Sequence, residues 1–444
     1  MPGFYLPSED EFDPSTDDFV QPAVSKERKY KHFDLPLDGS DREQVIDFST
    51  AGEPHRFLPL LGFTDEARRY VRNASGIHEI KIKERPIRFA GHADAAYLQA
   101  YAGHLNGFYE QALVKDGTSG SVLAYRKGGG TNIHHAKALF DEIKDRGDCT
   151  VFAMDISGFF DCLDHLMLRD EVAGLLGATR LDGHHATVWK NVTRYSWVET
   201  VDLDALLGRK RNGHGRVCSP TDFADHVRGR TGGLVRTHDQ VFGIPQGTPV
   251  SGLYANIYLR SFDREMIAWC GQYGGSYRRY SDDIAVVLPL GAKVRHVVAV
   301  VEKMLADYGL AMSVEKTDTA DFKGGLLVSQ TPIQYLGFTF DGQKTLIRPS
   351  SLDAYRGKMR RGIHAKMIAA KSKKILPSEV FKRESLSRYT HLGKRRNFLR
   401  YAYKAADLMG CPEIRQQVAH HVTWFNRAWE KEVAKVFDGL ATSP

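Results

Sequence analysis

Short apolar runs bounded by turn residues alternate along this chain with longer segments of helical spacing. From about 75 to 145, helical patterns are interrupted by a Gly-rich break, VKDGTSGSVLAYRKGGGTNIHHAKALFDEI (114–143). Its core reads as a strand, SVLAYR, a loop, KGGGTN, and a helix, IHHAKALFDEI. CTVFAMDISGFFDCLDH (149–165) predicts a strand and then an amphipathic helix with Leu163, Leu166, Met167 and Val172 facing inward. Residues 200–242 are polar and Gly-rich, as expected of an insertion or long loop. GIPQGTPVSGLYANIYLRSFD (243–263) predicts a turn, a helix start at Thr248-Pro249, and a helix striped by Tyr254, Tyr258 and Phe262. SYRRYSDDIAVVLP (276–289) predicts a β-hairpin, a helix follows over about 294–309, and from about 350 the chain reads as helical. No internal repeat is visible.

Composition narrows the class. A hydrophobic share of 42% and an aromatic share of 11% are globular values, and 444 residues suffice for two or three structural units. No run of eighteen or more apolar residues occurs, so no membrane span is expected. The N-terminus lacks the basic and apolar regions of a signal peptide. Its first twenty residues hold six acids and no Lys or Arg, which predicts a mobile arm. Five cysteines without a C-x-x-C pair fit a reducing cytoplasm better than a disulfide framework.

Charge is unevenly placed. Residues 351–444 carry 20 Lys+Arg against 8 Asp+Glu, a net +12, so residues 1–350 net −5 of the total +7. Clusters such as KSKK (371–374) and KRR (394–396) suggest a face made for a polyanion, against the bland alternative of a solvated helical surface.

Within RRYSDDIAVVLP (278–289), Asp282 and Asp283 set two like charges side by side in an otherwise β-like apolar run. Such a pair repels itself unless a cation is shared. Ser-Asp-Asp is also ordinary turn composition, and alone that reading is the simpler one. Asp155, however, ends the strand VFAMD. Strand-end and hairpin-tip carboxylates on one sheet would bind hard cations through oxygen. Two such ions about 3.5–4 Å apart activate an attacking hydroxyl and stabilise a leaving phosphate oxygen.

With these residues in view, the sequence resembles the reverse transcriptases, most of all the bacterial defence-associated and abortive-infection groups. AYRKGGG resembles the fingers motif, DISGFFD the first catalytic motif, and IPQGTPVSGLYANIYL the template and nucleotide motif. YSDD resembles the catalytic hairpin, EKT the following lysine motif, and YLGF the primer grip. Any one is weak; six in order over about 115–345 are specific, with fainter similarity back to about 80.

The resemblance implies an α+β right-hand polymerase fold, with fingers and palm around an antiparallel sheet and an α-helical thumb. It divides the chain into an N-terminal arm (1–50), fingers and palm (51–345, catalytic core about 115–345) and a basic helical thumb (346–444). Asp155, Asp282 and Asp283 would be the carboxylates holding two Mg²⁺ ions, with Mn²⁺ as a substitute and the Ile156 carbonyl as a further oxygen ligand. Phe160 matches the aromatic that excludes a ribose 2′-hydroxyl. Arg126 matches the fingers arginine that grips the triphosphate, and Lys127 would assist. Gln246 and Gly247 match the pair beside the incoming nucleotide and template base, and Lys316 the lysine that protonates departing pyrophosphate. Lys394, Arg395 and Arg396 would contact RNA. Two departures stand out: Ser281 replaces the more usual Ala, Val or Met, and Ser313 stands where many relatives carry Asn.

The implied activity is RNA-directed DNA synthesis from deoxynucleoside triphosphates in the cytoplasm, copying a dedicated noncoding RNA in antiphage defence. A retron, a domesticated group II intron relative, and template-independent synthesis are the alternatives, and homo-oligomer formation is left open. An RNA polymerase reading conflicts with Phe160, and a non-enzymatic RNA-binding scaffold conflicts with the intact carboxylate set. The histidine pairs His134-His135, His184-His185 and His420-His421 lack metal-ligand partners at sensible spacing.

Overall fold

The computed structural model describes residues 30–72, 78–208, 215–229, 233–393 and 397–438. Its elements begin with α1 (Gly39–Thr50), the antiparallel hairpin β1 (Leu60–Arg72) and β2 (His78–Phe89), α2 (His92–Lys115) and α3 (Asn132–Arg146). Next come β3 (Cys149–Ser157), α4 (His165–Leu175), α5 (Gly183–Thr193), β4 (Ser196–Glu199), α6 (Thr200–Leu207), the short α7 (Pro220–Asp222) and β5 (Arg236–Thr237). The centre holds α8 (Ser251–Tyr258), α9 (Arg260–Gln272), β6 (Ser276–Tyr280), β7 (Asp283–Pro289), α10 (Val294–Asp307), β8 (Ala311–Met312), β9 (Asp318–Lys323) and β10 (Leu326–Leu327). A small sheet of β11 (Ile333–Tyr335), β12 (Phe338–Phe340) and β13 (Thr345–Ile347) leads to α11 (Pro349–Ser372), α12 (Lys382–Tyr389), α13 (Phe398–Met409), α14 (Pro412–Val418) and α15 (His421–Val433). No described helix is long and apolar enough to cross a membrane.

The central sheet runs β10-β9-β3-β7-β6, with β8 pairing the end of β3. Its two middle strands are buried on both faces. Phe152, Met154 and Ile156 of β3 enter one core with Ile284, Val286 and Leu288 of β7. Val151 and Ala153 enter the other with Ala285 and Val287. That two-sided burial explains why VFAM and IAVVL are apolar without polar alternation. The stripe of Tyr254, Tyr258 and Phe262 is wholly buried in the first core, across the junction of α8 and α9 at Leu259. Architecture and sequence therefore agree on an α+β fold with an antiparallel sheet and a helical C-terminal region.

Four expectations change. SVLAYR forms no strand: Val122 makes one isolated bridge to Arg279, and a left-handed Tyr125 (φ 59°) turns the chain before a ladder can extend. Leu166 is 56% exposed. The helix starts only after the Asp164 cap, so Leu168 and Val172, four apart, set the inward face instead. Residues 200–242 are not merely a loop. β5 joins β4, just before this stretch, to extend the β1–β2 hairpin into a four-stranded sheet, and Leu203, Val217 and Val227 share a core with Phe33, Leu61 and Val198.

The expected arm over 1–50 is also revised. Residues 1–29 lie outside the described residues, but His32 and Phe33 are buried and Asp38 caps α1 by accepting from the Asp41 amide. Lys394, Arg395 and Arg396 lie outside the described residues as well.

Candidate active site

The register of β3 against β7 sets Asp155 opposite Asp283. Strand alternation puts both on the face of Val151 and Ala153, Ala285 and Val287. Asp282 occupies the turn just before β7, where its carbonyl accepts from the Ile156 amide at 3.0 Å. Asp155 and the remote, adjacent pair Asp282 and Asp283 thus meet at one end of one strand pair, with Ile156 beside them.

Each of the three is half-buried. Burial, then repulsion from Asp282 and Asp155, pushes the Asp283 carboxyl up to about 7. Asp282 is also raised, by burial first and by Asp155 second. A crowded, oxygen-only, under-neutralised donor set suits a hard divalent cation. The residues fit that group, though among the described residues no three His, Cys, Asp or Glu side chains are already gathered into a coordination cluster.

Positive charge reaches the site from three directions. Lys316 follows β8 in a 3₁₀ turn; its Nζ pairs with Asp155 Oδ2 and lies 3.3 Å from Ser313 Oγ. Ser313 fixes that turn, its amide donating to the Asp155 carbonyl at 2.7 Å. Lys83 of β2, beside Arg85 and Lys316, is near enough to Asp155 and Asp282 to feel both carboxylates. Burial and the two cations lower the Lys83 pKa in spite of them. Arg348, just before α11, offsets part of the charge on Asp283. Sequence reasoning missed Lys83, Arg85 and Arg348. Lys83 and Arg85 sit two apart in EIKIKERPIRF, the one signal that they share a strand face, yet a charged edge hairpin reads as ordinary solvated sheet.

Arg126 does not face the carboxylates as a free cation. Its Nε and Nη2 grip Glu110 at 3.0 and 2.6 Å, while Nη1 donates to the carbonyls of Ser119 and Val122. Four of its five N–H groups brace the 116–130 loop against α2, beside the triphosphate role expected of it. Lys127, next to it, is exposed.

Phe159 is 3% exposed in the core, and Phe160 packs only partly against it. The Phe160 carbonyl accepts from the Ile244 amide at 2.8 Å, which joins the first catalytic motif to the turn carrying Gln246 and Gly247. Gln246 Nε2 lies 3.4 Å from Asp161 Oδ1, and its carbonyl accepts from the Arg88 amide at 2.7 Å. Gly247 has φ 118°, and a Cβ there would stand 2.8 Å from the Arg88 carbonyl oxygen, so only glycine fits this close approach.

The histidine pairs have local roles. His134 closes the Thr131 cap of α3, Tyr101 lies 3.1 Å from His185 Nδ1, and His421 bonds His391 at 2.7 Å.

Residues 105–340, more than half of the chain, match the family described as reverse transcriptase (RNA-dependent DNA polymerase). No curated protein matches the chain in sequence. Among solved structures it is similar to a C-terminally truncated apo telomerase from Candida tropicalis, with 10% identity and a TM-score of 0.39 over 70% of this chain and 61% of that one. The longer apo telomerase from the same organism gives 11% identity and 0.39 over 92% and 70%. An insertion-loop deletion mutant of the RNA-dependent RNA polymerase of a human picobirnavirus gives 14% and 0.37 over 72% and 54%. The chain thus spans less than two thirds of the first and last of these structures.

Proposed function

This chain belongs to the reverse transcriptase family, and we propose on that basis that it is an RNA-directed DNA polymerase whose active site is the Asp155, Asp282 and Asp283 cluster. The observation that carries the reading is the Asp155–Asp283 register pair, joined by Asp282 at the end of a strand pair buried on both faces, where burial and the neighbouring carboxylates push the Asp283 carboxyl up. Repulsion of that kind is costly to keep without a cation to offset it.

The three carboxylates would hold Mg²⁺, with Mn²⁺ as a substitute and the Ile156 carbonyl as an extra oxygen donor. Bound there, a divalent pair lowers the pKa of the attacking hydroxyl and offsets charge on the leaving phosphate. A 3′ or protein hydroxyl would lose its proton to solvent water and form the new bond to the α-phosphorus of a deoxynucleoside triphosphate as the bond from that phosphorus to the α–β bridging oxygen breaks. Lys316, released from Asp155, holds a proton where the departing pyrophosphate oxygen receives it. Lys83 and Arg85 take the triphosphate-orienting role that Arg126 leaves open, with exposed Lys127 alongside. The Phe160 ring occupies the space of a ribose 2′-hydroxyl, and Gln246 with Gly247 lies beside the template base.

The basic C-terminal region, with Lys394, Arg395 and Arg396 in its sequence, would grip the phosphate backbone of template RNA largely without reading sequence. The template we favour is a dedicated noncoding RNA, copied in the cytoplasm of a bacterium as part of antiphage defence. Primer extension on a defined RNA template, with the product sequenced, tests the activity. DNA complementary to the RNA supports it, and product of template-independent sequence points to the alternative use of the same site. Sequencing RNA that co-purifies with the protein tests the biology: one enriched species supports a dedicated template, and bulk cellular RNA argues against it.

A further inference from the structure

The catalytic hairpin turns through Ser281, whose backbone is left-handed (φ 59°). Tyr125, in the fingers loop, is left-handed to the same degree. L-residues avoid this conformation, so two of them in contact at an active site need surrounding structure to hold them. Their side chains meet: Tyr125 Oη and Ser281 Oγ are 3.1 Å apart.

Other contacts clasp the same two segments. The Leu123 amide donates to the Arg279 carbonyl at 2.9 Å, and the Arg279 amide donates to the Ser121 carbonyl at 2.7 Å. Asn256 of α8 donates from Nδ2 to the Ala124 carbonyl at 2.8 Å and accepts from Arg279 Nη1 at 3.1 Å. That same Nη1 donates to the Ser281 carbonyl at 3.1 Å. The Tyr125 ring lies over Gly252, where an added Cβ would stand 2.7 Å from it, so α8 offers a glycine at the one place the ring must pass. Fingers loop, α8 and catalytic turn are therefore joined around one hydroxyl pair.

We propose that Tyr125 is a positioning residue for catalysis: through its contact with the Ser281 hydroxyl it fixes the turn that presents Asp282 and Asp283. Tyr125 touches no reacting atom in this account. It acts by holding a strained turn in the one geometry in which the carboxylates face Asp155. Ser281, the departure from the usual Ala, Val or Met, supplies the partner oxygen. The proposal rests on the polymerase reading of the three aspartates.

The test compares Tyr125→Phe, Ser281→Ala, their double variant and Ser281→Gly in primer extension on an RNA template, alongside melting temperature. Each hydroxyl deletion should lower kcat about fivefold, the effect of one neutral hydrogen bond, and raise the Mg²⁺ concentration for half-maximal rate. The KM for nucleotide should stay within about twofold, since the hydroxyls orient carboxylates rather than bind substrate. The double variant should be no slower than the slower single one. Ser281→Gly, free of the left-handed penalty, should melt no lower than Ser281→Ala yet share its kcat loss. Parental kcat and Mg²⁺ dependence in both hydroxyl variants, multiplicative losses in the double variant, or full activity of Ser281→Gly would each overturn the proposal. An inactive parent would instead overturn the polymerase reading beneath it.

Discussion

Replacing Arg279 with Met tests whether a buried ion pair holds the catalytic hairpin to the helices behind it. Arg279 and Asp263 are both fully buried, with Nε–Oδ1 at 2.8 Å and Nη2–Oδ2 at 2.6 Å. Asp263 also accepts from the Tyr277 hydroxyl at 2.6 Å. The substitution fills most of the volume but leaves the Asp263 carboxylate with that single hydroxyl and no counter-charge. Breaking a buried pair from one side costs about 3–5 kcal/mol, a large part of the roughly 5–15 kcal/mol that holds an ordinary domain together. Removing both charges, in Arg279→Met with Asp263→Leu, should recover a good part of the loss, because the desolvated carboxylate goes too. Urea unfolding of parent, single and double variants reads both quantities. A single-variant loss below about 1 kcal/mol, or a double variant less stable than the single one, would refute the reasoning that this pair is desolvated and mutually dependent.

Phe160→Ala should raise the ratio of ribo- to deoxyribonucleotide incorporation, and an unchanged ratio would place the sugar gate elsewhere. Arg126→Ala and Glu110→Gln should lower melting temperature together while leaving nucleotide KM within about twofold, because the guanidinium is committed to Glu110 and two carbonyls; a large KM rise from Arg126→Ala alone would restore it as the triphosphate grip. The pH dependence follows from Asp283, whose carboxyl is lifted from 3.8 to about 7 by burial beside Asp282 and Asp155. The metal-free fold keeps a proton there that the unfolded chain has already lost, so its stability should fall as pH rises from about 4 through 7. Mg²⁺ should bind more tightly, and stabilise more, across the same rise; melting curves at pH 5–8 in EDTA and in Mg²⁺ check both trends, and a flat response would contradict them.

The catalytic motifs were legible because chemistry and strand pattern coincide there. Asp155 ends one apolar run and Asp283 begins another, so pairing the runs aligns the carboxylates. What pairs with what along the fingers was not legible. SVLAYR has strand composition, but Tyr125 is bent into a left-handed turn by contacts with Gly252 and Ser281 that are remote in sequence. Arg126 matches its motif by spacing, but nothing in the sequence shows that Glu110, sixteen residues earlier on α2, pairs with it. Residues 200–242 look like a loop because the strand described there, β5, is only two residues long and joins its sheet through β4, while the helix α6 spans only eight residues. Arg279 reads as one more polar strand position, since nothing in SYRRY shows that Asp263 waits behind it.

The central claim is that Asp155, Asp282 and Asp283 exist for divalent-metal chemistry and not for the fold. The direct measurement is deoxynucleotide incorporation on an RNA template by Asp282→Asn/Asp283→Asn, read beside its metal-free melting temperature. Loss of the metal-binding pair removes several kcal/mol of transition-state stabilisation, so incorporation should fall by about a thousandfold or more. Because burial and mutual repulsion raise both carboxyls, the neutral variant should melt no lower than the parent in EDTA. Near-parental incorporation by a well-folded double variant would contradict the account.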